Sequence, residues 1–338
     1  MRFSRLLIIT VLSVIQLSCD GQSKRINGIS YVASPDAIDQ SHVQPVVNIN
    51  ANYASVMPFG FIRNLEHPEI IYNTNRQWYG ETSEGAKQYI NELRKQNIKI
   101  MLKPQIWVWR GEFTGFIEMN NEDDWKTLED SYSKFILEYA RLAEDTKSEI
   151  LCIGTELEKF IENRPKYWNS LIDKIKAIYK GKLTYAANWD EFKRTPFWDK
   201  LDYIGVDAYF PVSDSKTPTF EECMEGWKTH KDTIKALAIQ FEKPILFTEY
   251  GYRSVDYSGK EPWRSDRSMN NVNLEAQVNT TKALYEQFWK DEDEWFAGGF
   301  IWKWFHNHAR SGGENNSRFT PQNKPVEQVI RTYYKQKE

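Results

Sequence analysis

A single (β/α)8 barrel of the TIM type, an α/β fold filling residues 26–338, is predicted by three observations. Strand-like and helix-like runs alternate along the chain, the pattern of βα units around a parallel sheet. The 338 residues suit one barrel of about 250 residues with insertions. The rival, a doubly wound open sheet, usually carries a Gly-rich phosphate loop after its first strand, and Gly28-Ile29-Ser30-Tyr31 is not one.

The first strand is expected at Ile26 to Ala33 and the second at Tyr53 to Phe61. Ala86, Tyr89, Ile90 and Leu93 fall on one face of a helix over Ser83 to Gln96. Ile98 to Trp107 reads as the third strand. A helix over Asp124 to Asp145 presents Leu128, Tyr132, Phe135, Tyr139 and Leu142 as its inner stripe. Ile150 to Thr155 is the fourth strand. Pro165 opens the next helix where its missing N–H costs nothing, and that helix runs to Tyr179 and stops at Gly181. Strands five and six are expected at Leu183 to Ala187 and Tyr203 to Tyr209. The helix Phe220 to Phe241 leads to strand seven, Pro244 to Thr248, and the helix Leu274 to Trp289 to strand eight, Phe296 to Trp304.

The ends of the sequence carry different information. Arg2 and Arg5, the apolar run Leu6 to Leu17 and Leu17-Ser18-Cys19 form a leader, residues 1–19, too short for a comfortable bilayer span. Its close resembles the lipobox of bacterial lipoproteins, in which the Cys becomes the lipidated first residue, although Gln16 replaces the usual aliphatic residue. Lipidation at Cys19 implies export and anchoring to a bacterial membrane, at the outer membrane or cell surface; the alternative is an ordinary secretory peptide. Residues 20–25 are polar and short, as suits a tether. Cys152 and Cys223 read as buried apolar residues, since two thiols make no disulfide framework.

Charge excludes one class of partner. With 44 basic and 47 acidic residues interspersed and a net charge of −3, no basic stripe for nucleic acid is present. Aromatic residues make up 14% of the chain, with 13 Trp, more than a core of this size needs. The surplus leaves flat rings for an open surface, where they can stack on sugar faces.

Two apolar runs end alike: Ile150-Leu151-Cys152-Ile153-Gly154-Thr155-Glu156 and Ile245-Leu246-Phe247-Thr248-Glu249. Each Thr-Glu alone could cap a helix, but a carboxylate at the end of a dry strand is costly unless paired or protonated. In a barrel both acids lie at the C-terminal rim, where catalytic groups collect. A facing pair of glutamates is the minimal equipment of a glycosidase. On strand eight, alternation puts Trp302 and Trp304 on one face, where either could floor a sugar subsite; the alternative for Trp302 is core filling. After Lys103-Pro104-Gln105, Trp107 and Trp109 share a face and read either as cleft walls or as a rim cluster under a loop, with Lys103 and Gln105 as substrate contacts. His306 and His308 match no metal pattern and read as loop residues, so neither metal nor organic cofactor is expected.

Five segments carry a resemblance to the clan A glycoside hydrolases, and more closely to glycoside hydrolase family 113, a group associated with β-mannanase activity. They are Ile153 to Leu157, Asn188-Trp189-Asp190, Asp202 to Tyr209, Phe247 to Gly251 and Gly299 to Trp304. The resemblance implies Glu156 as acid/base and Glu249 as nucleophile of a retaining mechanism, with Tyr209 supporting the nucleophile. It implies Trp189 and Asp207 as substrate contacts. Many clan members carry Asn before the acid/base, to hold the sugar 2-hydroxyl; here Thr155 stands there, so Asn188 is a candidate for that contact. The expected substrate is a β-mannan or manno-oligosaccharide. The alternatives are another β-glycan or β-glycoside specificity, and a carbohydrate-binding lipoprotein that has lost turnover.

Overall fold

The computed structural model describes residues 25–264, 270–290 and 293–335. The leader with Cys19 and tether residues 20–24 lie outside them. Among the described residues no helix is long and apolar enough to cross a membrane.

In chain order the elements are β1 (Ile26–Tyr31), α1 (Gln40–Asn48), β2 (Tyr53–Val56), β3 (Phe59–Ile62), α2 (Ser83–Arg94), β4 (Lys99–Leu102), β5 (Gln105–Val108) and α3 (Glu122–Asp145). They continue with β6 (Ile150–Thr155), α4 (Glu158–Asn163), α5 (Pro165–Ile178), β7 (Lys182–Asn188), β8 (Ile204–Asp207) and α6 (Phe220–Phe241). The last are β9 (Ile245–Tyr250), α7 (Leu274–Phe288), β10 (Phe296–Trp304) and α8 (Pro325–Tyr334). Strands β1, β2, β4, β6, β7, β8, β9 and β10 close in that order into a parallel barrel, β10 pairing back to β1. The expected (β/α)8 barrel is the observed fold.

Ile26, Met101, Ile150, Cys152, Ala186, Leu246 and Phe300 form a cluster apart from the main core and plug the barrel. The main core lies between strands and helices, and α3 contributes the five residues of its expected stripe, all buried. Cys152 and Cys223 are buried and free.

Two expected strands are broken, and the breaks shape the site. Tyr53 to Phe61 splits at Met57-Pro58 and Ile98 to Trp107 at Lys103-Pro104, because proline brings no N–H to a ladder. The downstream pieces, β3 and β5, leave the barrel and pair in parallel as a separate two-stranded sheet, Phe59 opposite Gln105 and Phe61 opposite Trp107. Gly60, Ile62, Ile106 and Val108 face the core from this sheet, while Phe59, Phe61, Gln105 and Trp107 share the less buried face.

Register sets the rim of the barrel. Asn188 pairs with Asp207 and Asp207 with Glu249, so β7, β8 and β9 end in one row of polar side chains. The ladder slips between Val206 and Asp207 against β9, and between Cys152 and Thr155 against β7. Such irregularities re-aim side chains at strand ends.

Candidate active site

Glu249 closes the apolar run of β9 and is nearly buried. Three donors converge on its carboxylate. Lys103 Nζ donates to Oε1 at 2.5 Å and Gln105 Nε2 to the same oxygen at 3.0 Å. The Tyr209 hydroxyl donates to Oε2 at 2.8 Å. Each donor comes from a different part of the rim: the end of β4, the start of β5 and the segment just past β8. The proline break after Lys103 allows both Lys103 and Gln105 to reach one oxygen.

Lys103 and Asp207 depart from the sequence expectation. Both were expected to contact substrate, and both are fully buried beneath Glu249. Lys103 stands two residues beyond Met101, on the same inward face of its strand, so its ammonium enters the barrel. It lies 3.3 Å from Asp207 Oδ1, and Thr248 Oγ1 donates to that oxygen at 2.7 Å. Burial would lower the Lys103 pKa, but Asp207 and Glu249 together hold it above its ordinary value. Burial, and then the Glu249 charge, push Asp207 above the usual carboxylate range. One ammonium thus sits under two acids, and it is a fixed electrostatic base for the site.

Glu156 follows β6 in a left-handed conformation, φ 50°. Burial first, then the charges of Asp207 and Glu249, hold its carboxyl well above the usual range, and Glu191 adds to the effect while Lys103 opposes it. The two glutamates therefore sense each other across the rim, with opposite equipment. Glu249 is surrounded by donors, whereas Glu156 faces mostly negative charge.

The remaining expected residues divide between the site and the core. The Thr155 hydroxyl is buried with no hydrogen-bond partner among the described residues. Asn188 Oδ1 accepts the Trp189 N–H at 2.9 Å. Trp107 is 49% exposed on the β5 face that also carries Gln105. Trp109 is 65% exposed but lies in a 3-10 turn beyond β5, so it does not share that face by strand alternation. The Trp302 and Trp304 pair also fails to share one environment. Trp302 is partly buried, whereas Trp304 is fully buried, paired in register with Tyr31 and packed near His308, and offers no face to a cleft. His308 bonds Glu327, and among the described residues no group of three His, Cys, Asp or Glu is placed to hold a metal.

Three residues enter that sequence reasoning missed. Trp263, 41% exposed, stacks on Trp189 with centroids 4.9 Å apart and planes at 18°, making a two-ring platform beside Asn188. Lys303, between the two tryptophans of β10, is lowered by burial and raised by the Glu249 charge; its ammonium lies 5.3 Å from the ring centroids of Trp302 and of Phe305. Glu191 is fully buried behind Asn188. A lone loop Trp, a Lys within an aromatic strand and an acid in a polar turn carry no spacing signal.

A closed parallel barrel with a carboxyl pair at the ends of its fourth and seventh strands has the construction of a clan A glycoside hydrolase. The sequence profile of glycoside hydrolase family 113 matches residues 34–324, and the chain belongs to that family. A GH113 β-1,4-mannanase solved as a complex superposes with a TM-score of 0.80 at 22% identity, over 92% of this chain and 99% of that one. The GH113 β-mannanase of Alicyclobacillus acidocaldarius, in complex with ManMIm, gives 0.80 at 21% identity, over 92% and 97%. A β-glucuronidase from Faecalibacterium prausnitzii shares the barrel more distantly, with a TM-score of 0.60 at 14% identity, over 92% of this chain and 48% of that one. No protein of curated function matches the chain in sequence.

Proposed function

We propose that this glycoside hydrolase is a retaining β-glycosidase acting on β-mannan or manno-oligosaccharides, with Glu249 as nucleophile and Glu156 as acid/base. The observation that carries the mechanism is the asymmetry between the two acids. Glu249 has an oxygen fixed by Lys103 and Gln105, while Oε2, which among the described residues accepts from Tyr209 alone, keeps lone-pair density for attack. Burial and neighbouring negative charge favour the protonated form of Glu156, the form a general acid needs.

In the first step Glu249 Oε2 bonds to the anomeric carbon as the glycosidic C–O bond breaks. The Glu156 proton goes to the leaving oxygen. The product is a glycosyl ester on Glu249 and an ionised Glu156. In the second step Glu156 takes a proton from water, the water oxygen bonds to the anomeric carbon, and the ester C–O bond breaks, restoring both acids and the anomeric configuration. Mannan as substrate is supported by family membership and by the similarity to β-1,4-mannanases. The Trp189–Trp263 stack and exposed Trp107 supply ring faces for sugars on either side of the reacting one. The proposal places the enzyme at a bacterial membrane surface, anchored through Cys19.

A panel of β-mannan, β-glucan, xylan and the matching oligosaccharides, with product sizing and anomeric NMR, tests this reading. Cleavage of mannan with retained configuration is expected. Preference for another glycan overturns the substrate, inversion overturns the mechanism, and saturable binding without cleavage makes the protein a receptor.

The pH profile carries a sign. Activity requires protonated Glu156, so kcat/KM falls as pH rises through its elevated pKa. The Asp207 charge helps to keep the proton on Glu156 against the pull of Lys103, with Glu249 and Glu191 acting in the same sense as Asp207. Asp207→Asn is therefore expected to move the alkaline limb of kcat/KM to lower pH by about one unit. A limb that stays or moves upward contradicts the assignment.

A further inference from the structure

Glu156 occupies a left-handed region of backbone space that a non-glycine residue adopts only at a cost, so something must hold it there. Two backbone bonds do. The Glu156 N–H donates to Ala186 O at 2.8 Å, and the next N–H, of Leu157, donates to the Tyr185 hydroxyl at 2.7 Å. The second acceptor is unusual, because a side chain from the neighbouring strand takes a backbone proton immediately beyond the acid. Having accepted from Leu157, Tyr185 turns its own proton to Glu191 Oε1, 2.7 Å away. Glu191 Oε2 accepts the Asn188 N–H at 3.0 Å, and the Glu191 N–H returns to Asn188 O at 2.9 Å.

All the links are deep in the protein. Leu157, Tyr185 and Glu191 are buried, and the Tyr185 ring is pinned edge-on by Phe197 at 5.5 Å and Trp168 at 5.9 Å. A buried carboxyl without a cation is expensive, and burial pushes Glu191 up to about 8 against the pull of its two donors. Its cost is not needed to close the barrel, since β6, β7 and β8 are already paired through their ladders. What it does add is a fixed orientation for the Tyr185 hydroxyl, and with it a fixed turn at Glu156. It also ties that turn to Asn188 on the neighbouring strand end.

We propose that Tyr185 and Glu191 are positioning residues for the acid/base, forming a hydrogen-bonded brace that runs from Glu191 through the Tyr185 hydroxyl to the Leu157 N–H and sets the aim of the Glu156 carboxyl. This inference rests on Glu156 being the acid/base. A carboxyl that must meet the leaving oxygen in line loses catalytic power when its backbone shifts by about 1 Å. Removing the brace should therefore harm the one step that needs proton donation.

Leaving-group dependence separates that effect from a general loss of structure. Aryl β-mannobiosides bearing dinitrophenol, which departs without a proton, and a poor phenol, which needs one, are compared in wild type, Tyr185→Phe, Glu191→Gln and the benchmark Glu156→Ala. Tyr185→Phe is expected to lower kcat/KM by about 10²-fold on the poor phenol and by less than about threefold on the dinitrophenyl glycoside. Glu191→Gln keeps an acceptor for Tyr185 and should fall between Tyr185→Phe and wild type. Equal loss on both substrates in Tyr185→Phe, or no loss on either, overturns the brace. If Glu156→Ala itself shows no leaving-group dependence while wild type turns over, the acid/base assignment fails, and the inference falls with it for a distinguishable reason.

Discussion

Replacing Glu249 by Gln is expected to abolish turnover, lowering kcat on the order of 10⁴-fold or more, while the protein remains folded. The amide is nearly isosteric with the carboxylate but cannot form the glycosyl ester. The local hydrogen bonds survive the change. The amide oxygen can keep the Lys103 and Gln105 donors, and the amide nitrogen can donate to the Tyr209 hydroxyl, which accepts as readily as it donates. Thermal unfolding should shift by only a few degrees, and sugar binding should persist by calorimetry. Turnover near wild type would remove Glu249 from the reaction.

Lys103→Met is expected to cost more stability than any other single change at the site, and to lower activity as well. It keeps the stem volume and removes the cation that lies against Asp207 and Glu249. Breaking a buried pair by deleting one partner leaves uncompensated charge and costs about 3–5 kcal/mol. The loss has a pH signature. Asp207 already stands above its ordinary value in the fold, and without Lys103 it moves higher. An acid raised in the folded state contributes stability that is complete below its unfolded pKa and is lost as pH rises through the folded one. Wild-type Asp207 ionises near pH 7, so the gap in Tm between variant and wild type should stay level up to about pH 7 and widen above it. A gap independent of pH would mean that Lys103 matters for packing alone. Activity should fall as well, since Glu249 loses its shortest hydrogen bond.

Much of this is legible from the residues, for identifiable reasons. Barrel strands buried on both faces leave continuous apolar runs, so β6, β9 and β10 stand out. The two glutamates are visible because a charge that ends a dry strand needs a partner, a proton or a cleft to face. Depth is not legible. Lys103 and Asp207 were expected to touch sugar, but only the register across β7, β8 and β9, and the inward parity of Lys103, reveal that they lie below the reacting groups. Trp304 departs from expectation for the same reason: a Trp on a barrel strand says nothing about which layer it fills.

Broken elements are the second blind spot. Pro58 and Pro104 lie inside runs that otherwise read as single strands, and the separate sheet they create is what carries Gln105 to Glu249 and Trp107 to the rim. The helix α1, which contains Pro45, and the six-residue α4 give little periodic pattern. Helix α8 does carry one, with Val326, Ile330 and Tyr334 spaced four apart behind Pro325, yet it was not among the expected helices. Glu191 lies hidden in Asn188-Trp189-Asp190-Glu191, a stretch with the composition of a solvated turn, because nothing in a sequence marks which acid of a polar cluster turns inward.

The central claim is that Glu249 forms a covalent bond to the sugar. Incubating the enzyme with a 2-deoxy-2-fluoro-β-mannosyl fluoride and sequencing its peptides by mass spectrometry tests this most directly, because the 2-fluorine slows both formation and breakdown of the ester while the good fluoride leaving group restores its formation, so the ester accumulates. One sugar on the peptide containing Glu249, with loss of activity at the same rate, is the predicted result. Steady turnover with no labelled peptide, or a label on any other residue, would contradict the account.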